Sequence, residues 1–225
     1  MSTGDFNNDG WMDFTVGGNN DFLYLFLNDR TGGFNAPLRI PNILLNMRGQ
    51  DAGDIDSDGN YDFVHAITGG AGSLYRMLGD GTGNFSQSYI LNPPGDNPYC
   101  IALADFSGDG ILDLMYGANT GAVYYYRGIG DGSYNATGIQ VLTLGITHSC
   151  DAYDFDADGR MDLSVVMFTS DTARVYFGLG NGSLNTSFAT LGTIDDALGI
   201  AVPEYYSGRL VASSAEQRAE STIPS

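Results

Sequence analysis

The chain has 225 residues, of which 43% are hydrophobic, so it can bury an ordinary core. It carries 27 acidic residues against nine arginines and no lysine, and the formal net charge of −18 argues against nucleic acids and anionic membranes as partners. No apolar run approaches the roughly 18 residues of a membrane span, so no membrane insertion is expected.

The first predicted element is an acidic loop, Asp5-Phe-Asn-Asn-Asp9-Gly10-Trp-Met-Asp13. The same pattern returns with first residues Asp54, Asp105 and Asp154, at a period of about fifty residues. A fixed period of this kind indicates a repeat architecture in which each copy is one supersecondary unit. The predicted repeats are 4–52, 53–103, 104–152 and 153–204.

Short strands are predicted after each loop. Apolar runs at 14–16, 63–67, 114–116 and 163–166 follow the four loops directly. A second strand comes next, and then a glycine-rich turn in which pairs such as Asp80-Gly81 and Asn181-Gly182 supply the positive φ angles of a hairpin. A further strand completes the unit, so each repeat contains about four strands, the content of one propeller blade.

These motifs resemble the FG-GAP repeat family, which includes the propellers of integrin α-subunits and integrin-like lectins. The resemblance covers residues 4 to about 204 and rests on Asp-x-[Asp/Asn/Ser]-x-Asp-Gly-x-x-Asp, followed by a strand and a glycine-rich hairpin that ends in an aromatic residue. It implies an all-β fold, a β-propeller of four-stranded antiparallel blades. Known members usually have about seven blades. With four repeats, a closed four-bladed monomer and half of a larger ring both remain open.

The two ends of the chain differ from the repeats. The first repeat lacks the strand expected before Asp5, and residues 196–202 match the lead-in strands of the other repeats, so this segment is expected to fill that place or to leave open edges that join two chains as a homo-oligomer. Residues 205–225 are small, polar and aperiodic, which predicts an irregular, disordered or vector-derived tail. We therefore expect a fragment of a larger propeller.

The acidic loops contain the hard oxygen donors that calcium prefers. Aspartates at positions one, three and five can turn their carboxylates inward, glycine at six permits the bend, the carbonyl at seven adds a ligand, and aspartate at nine closes the shell. Asn7 and Ser107 replace the third-position aspartate, so the loops at Asp54 and Asp154 are predicted to bind most tightly. About one Ca²⁺ per repeat is expected. The predicted ligands are Asp5, Asn7, Asp9, Trp11 and Asp13; Asp54, Asp56, Asp58, Asn60 and Asp62; Asp105, Ser107, Asp109, Ile111 and Asp113; and Asp154, Asp156, Asp158, Arg160 and Asp162.

The two cysteines and the calcium loops bear on location. Cys100 and Cys150 do not define a disulfide framework and are predicted to be buried free thiols. Calcium loops of this kind fill where calcium reaches about 10⁻⁴–10⁻³ M, which is typical of extracellular modules. The chain shows no signal peptide, so we expect a parent protein that is secreted or surface-bound.

The lead-in strands are expected to lie towards the propeller axis and to bring unusual side chains together there. Arg48, Tyr99 and His148 each stand six positions before a first loop aspartate, and Asp51 and Asp151 stand three positions before one. Two functions of different class remain open. One is an extracellular binding or adhesion module for a glycan or protein ligand.

The other function is a calcium-dependent hydrolase acting on phosphate esters, phosphotriesters or carboxylic esters. A calcium ion with an open coordination position can polarise such a substrate. His148, Asp151, Arg48 and Asp51 would then be the catalytic residues. No nucleophile elbow, zinc motif or phosphate loop is present, so the sequence does not decide between the two functions.

Overall fold

The computed structural model describes residues 1–17, 22–40, 47–68, 72–91 and 97–193. Within these ranges the chain forms sixteen strands in four sheets, with no helix. A membrane-spanning helix is therefore not found in the part of the chain that the structure describes.

Each sheet is an antiparallel blade of four strands that follow one another in chain order. The first blade contains β1 (Ser2–Gly4), β2 (Asp13–Gly17), β3 (Leu23–Phe26) and β4 (Leu38–Ile40). The second contains β5 (Met47–Gly53), β6 (Asp62–Ile67), β7 (Ser73–Gly79) and β8 (Phe85–Leu91). The third contains β9 (Pro98–Ala104), β10 (Asp113–Ala118), β11 (Ala122–Tyr126) and β12 (Ile139–Thr143). The fourth contains β13 (Thr147–Tyr153), β14 (Asp162–Met167), β15 (Thr172–Gly178) and β16 (Leu184–Thr193).

The four sheets are arranged as a four-bladed β-propeller, which confirms the predicted all-β fold with four-stranded antiparallel blades. One detail of the prediction was wrong. Residues 2–4 form β1 and pair with β2, so the first blade already has a strand before Asp5. The segment 196–202 and the tail 205–225 lie outside the described residues.

The hydrophobic core lies in three layers between adjacent blades. Phe6, Leu25 and Phe63 belong to the layer between the first two blades, and Val64 and Tyr116 belong to the next layer. A third layer fills the space between the last two blades. The second strands β6, β10 and β14 are buried along their whole length, and the blades of β6 and β10 pack against a neighbour on both faces. Their near-continuous apolar sequences follow from this burial.

Cys100 and Cys150 form a disulfide, so the prediction of free thiols was wrong. Cys100 lies on β9 and Cys150 on β13, the first strands of the third and fourth blades. First strands of adjacent blades lie side by side, so residues one repeat apart in sequence become neighbours in space. The two Cα atoms are 5.6 Å apart, within the range of a disulfide.

Candidate metal centre

The four acidic loops connect the first strand of each blade to its second strand, so they all lie at one end of the propeller. The glycine at the sixth position has a positive φ in every loop, from 83° to 87°. A Cβ atom at Gly10, Gly59, Gly110 or Gly159 would meet nothing within 4 Å. Glycine is therefore needed here for its backbone conformation and not for space, as the sequence predicted.

The first aspartate of each loop holds the turn together. The Asp54 carboxylate accepts hydrogen bonds from the backbone N–H groups of Asp58 and Gly59, both at 3.0 Å. The same pair of bonds is made by Asp5, Asp105 and Asp154. Backbone donors fix the orientation of these carboxylates before any ion is present, since they organise the loop from within.

Two loops bring three carboxylates to one point. One oxygen each from Asp54, Asp56 and Asp62 lies within 4.8 Å of the other two, and Asp154, Asp156 and Asp162 form the matching cluster. Burial, and to a smaller extent the nearby carboxylates of Asp56 and Asp58, raise the pKa of Asp62 to about 6. These like charges favour a bound cation, and hard carboxylate oxygens are the donors that suit calcium.

The first and third loops do not form such a triad among the described residues. Their third position is Asn7 or Ser107, as noted from the sequence. The amide of Asn7 donates to the Asp9 carboxylate at 3.1 Å, so it ties the loop to itself. The geometry thus agrees with the predicted order of affinity, although affinity itself stays a prediction.

The aspartate at position five of the loop forms an ion pair with an arginine in three of the four loops. Arg30 pairs with Asp9 at 3.0 Å, and Arg127 pairs with Asp109 at 2.7 Å. In the fourth loop Asp158 pairs with Arg160, whose backbone carbonyl was the predicted ligand. Hydrogen bonds from Arg127 hold the pKa of Asp109 below its usual value. The sequence analysis missed these arginines, because Arg30 and Arg127 come after the third strand, 21 and 18 residues from the aspartates that they contact.

The remaining fifth-position residue, Asp58, is held without an arginine. It accepts a hydrogen bond from the Asn60 side-chain amide at 2.8 Å. The structure therefore groups positions one, three and nine and sets position five apart. Coordination by the carbonyls of Trp11, Asn60, Ile111 and Arg160 stays a prediction.

The aspartate at position nine of each loop is both a candidate metal ligand and a buried hydrogen-bond acceptor that holds the loop in place. Asp62 is fully buried, and its two oxygens accept backbone N–H bonds from Ile55 at 2.9 Å and Gly79 at 2.8 Å. These bonds tie the loop to the third strand of the same blade. Asp13 and Asp162 are buried in the same way and make the equivalent pair of bonds. Asp113 is also buried, but its bond within the loop comes from the N–H of Ser107, one residue further along.

Each of the first three loops is also bonded to the next blade. The carbonyl of the second loop residue accepts a hydrogen bond from a hairpin glycine of the following blade, at 2.8–3.0 Å. The pairs are Phe6 with Gly83, Ile55 with Gly132, and Phe106 with Gly182. The side chains of these second residues are buried in the layers between blades. An ion that orders a loop would therefore also order the contact between two blades.

Three of the side chains predicted at the axis do come together, at the opposite end of the first strands from the loops. The Arg48 guanidinium lies 5.3 Å from the Tyr99 ring, and the Tyr99 and His148 rings are 5.5 Å apart. Phe168, which the sequence analysis did not identify, stacks on His148 at 5.0 Å. Partial burial, and then the Arg48 charge, lower the pKa of His148. We call these four residues the aromatic row.

Asp51 and Asp151, which were predicted as catalytic residues, accept hydrogen bonds from backbone N–H groups. Asp51 accepts a hydrogen bond from the Leu103 N–H at 2.7 Å and so ties β5 to β9. Asp151 accepts one from the N–H of Ala152 at 2.9 Å. These contacts hold neighbouring segments in place, and a catalytic role for Arg48, Asp51, His148 and Asp151 stays a prediction.

Comparison with known proteins supports the fold. Residues 54–116 match the FG-GAP-like repeat family. No curated protein matches the sequence. Among solved structures, AofleA from Arthrobotrys oligospora has 12% identity and a TM-score of 0.55, with 85% of this chain and 57% of that chain covered. A crystal structure of BBS1N in complex with ARL6DN, soaked with lead, has 11% identity and a TM-score of 0.53, with 87% and 56% covered. At these identities the likeness shows the fold alone, and the chain spans little more than half the length of these structures.

Proposed function

We propose that this propeller of FG-GAP-like repeats binds calcium through its acidic loops and serves as an extracellular binding module. The observation that carries the proposal is the pair of carboxylate triads at equivalent positions of the second and fourth loops. Two separate loops with the same convergent geometry are difficult to explain as ordinary turns, since unpaired like charges at short range destabilise a fold without a cation.

A bound calcium ion would neutralise the charge of the loop carboxylates and make the loop rigid. In the second loop, Asp54, Asp56 and Asp62 would hold the ion, and Ile55 would transmit the order to Gly132 of the third blade. Because a preformed loop binds the ion and the unfolded chain does not, calcium should stabilise the folded state by linkage.

The disulfide supports an extracellular location. Disulfides such as Cys100–Cys150 form and persist in oxidising compartments and are rare in the cytosol. Millimolar calcium, which weak acidic loops need, is found outside cells. Both features of the chain therefore suit a secreted or surface-bound protein.

The aromatic row is the surface that we propose for a ligand of this module. It combines a guanidinium with three ring side chains on adjacent blades, and Phe168 is 45% exposed. Aromatic rings that are held in place by their neighbours bind sugar rings or protein side chains with little loss of conformational entropy. A glycan or a protein is therefore the expected class of ligand.

Calcium titration of chelator-stripped protein by isothermal calorimetry tests the proposal. We expect binding that Asp56→Asn and Asp156→Asn each weaken about tenfold or more, since each removes a charge from a triad. Asp80→Asn is the matched control, because this exposed hairpin aspartate removes the same charge outside the loops. No heat of binding at millimolar calcium, or equal weakening by all three variants, would contradict the proposal.

A further inference from the structure

One position of the third strand breaks the pattern of the propeller. Arg76 on β7 pairs with Val64 of β6. The residues at the same register in the other blades are Leu25, Tyr125 and Val175, which pair with the equivalent residues of the second strands. All three are buried, with at most 6% exposed. The second blade therefore has a charged side chain at a position where the other three blades have an apolar or aromatic one.

The charged residue lies beside a cavity between two blades. Leu25 and Tyr125 approach the hairpin glycines Gly83 and Gly182 of the next blade, and Arg76 approaches Gly132 in the same way. Beside Arg76 and Gly132, between the second and third blades, there is a cavity of about 300 Å³, which is at the lower end of the size of small-molecule sites. Its lining consists of Arg76, three residues at the end of β8 and the hairpin segment 132–136.

The Arg76 guanidinium is held in place without a carboxylate partner. Its Nε donates to the Ser88 hydroxyl at 2.8 Å, and Nη1 donates to the Asp131 backbone carbonyl at 3.3 Å. The Asp131 carboxylate is engaged by the N–H and hydroxyl of Ser133. Among the described residues, Arg76 makes no ion pair, whereas Arg30, Arg127 and Arg160 each do. A fixed cation therefore lines the cavity with donor capacity to spare.

The other walls of the cavity contain no acidic side chain; apolar and aromatic residues line one side, and Ser133 and Asn135 add polar groups on the other. Tyr89 is 51% exposed and packs edge-on against Tyr75, while Ile90 and Leu91 are half-buried. The buried Tyr134 ring completes the lining from the third blade. A flat apolar wall beside a single guanidinium suits a ligand with a ring or short apolar body and one carboxylate, since guanidinium and carboxylate match in geometry and charge.

We propose that the cavity between the second and third blades is a binding site for a small monocarboxylate, with Arg76 as the carboxylate-binding residue and Tyr89 as the stacking wall. The net charge of −18 disfavours more highly charged anions. None of the lining residues is a loop carboxylate, so calcium and the ligand do not compete for the same groups.

Calorimetry and saturation-transfer NMR with benzoate as the probe test this site in the calcium-loaded and the calcium-free protein. We expect benzoate to bind, and neutral benzyl alcohol of similar shape to bind at least about tenfold more weakly, since a charged hydrogen bond is lost. Arg76→Leu reproduces the residue of the first blade, so it should fold and lose benzoate binding by a similar factor. Tyr89→Ala should weaken both probes together.

Arg127→Gln is the matched control, because it removes the same charge from a loop ion pair outside the cavity. Its affinity for benzoate should equal that of the unchanged protein. The proposal is wrong if benzoate does not bind at millimolar concentration, if benzyl alcohol binds equally well, or if folded Arg76→Leu retains the affinity.

Discussion

His65 is a fully buried ionisable side chain on β6. Its ring stacks on Tyr75 at 5.6 Å and lies 6.0 Å from the Phe63 ring. Within the described structure, Nδ1 has no hydrogen-bond partner. Burial therefore lowers the pKa of His65 to about 4, because the charged imidazolium would be desolvated. A histidine in this setting is a core aromatic residue that must stay neutral for the fold to persist.

Acid should destabilise the protein through His65. Above pH about 6.5, His65 is neutral in both the folded and the unfolded state. Below that pH the imidazole of the unfolded state becomes protonated, whereas His65 in the folded state takes up its proton only near pH 4. The free energy of unfolding should thus fall between these values, and by pH 4.5 the loss due to His65 should be about 2 kcal/mol.

Urea unfolding at pH 7 and 4.5 measures this loss, and His65→Phe should remove it. Contributions of the carboxylates are common to both proteins and cancel in the comparison. His148→Phe is the control, since His148 is only half-buried and should change the acid dependence much less. An unchanged acid dependence in His65→Phe would show that another group is responsible.

At the scale of elements, the loop and the hairpin of the following blade behave as one unit. Phe106 of the third loop is 2% exposed, and its carbonyl accepts the N–H of Gly182 at 2.8 Å. The ring packs in the layer between the third and fourth blades. Phe155 has the same position in the fourth loop but is only half-buried. The same residue type therefore has two different environments in one chain.

Truncation of these two rings should have unequal effects. Phe106→Ala should lower the free energy of unfolding by about 3–5 kcal/mol, the usual cost of a large cavity in a core. Phe155→Ala should cost clearly less, because its ring is already partly in water. Chemical denaturation at fixed calcium compares the two. Equal losses would mean that the layer between blades does not depend on the second loop residue.

At the scale of the whole molecule, stability depends on contacts between successive blades. The first strands β1, β5, β9 and β13 touch in that order, and within the described residues no comparable contact joins β13 back to β1. The disulfide between β9 and β13 covalently links the last two blades across a sequence separation of 50. Whether four blades act alone or pair with a second chain stays a prediction.

Loss of the disulfide should destabilise the fold. By the chain-entropy relation, a crosslink that closes a loop of this length contributes about 4 kcal/mol. Cys100→Ser with Cys150→Ser should lower the free energy of unfolding by this order, as should reductant added to the unchanged protein. Reductant should have no effect on the double variant. Two titratable thiols in the oxidised native protein would contradict the prediction.

The sequence by itself determined the repeat, the number of blades and the acidic loops. Each blade is built from local signals that lie within fifty or so residues: apolar alternation, a loop glycine such as Gly59 with positive φ, and hairpin glycines. The substitutions Asn7 and Ser107 are visible in the motif itself, so the sequence also singled out the loops at Asp54 and Asp154 as those richest in carboxylates, and these two loops form the triads.

Only the tertiary structure decided the contacts between strands of one repeat and between neighbouring repeats. The Cys100–Cys150 bond, the arginines that hold Asp9 and Asp109, and the cavity beside Arg76 all depend on which residues face one another across strands or blades. Period and composition describe each repeat separately, whereas these contacts depend on how neighbouring strands and blades are aligned. Alignment is set by packing of the complete fold, so residues far apart in sequence acquire roles that their local motifs do not encode.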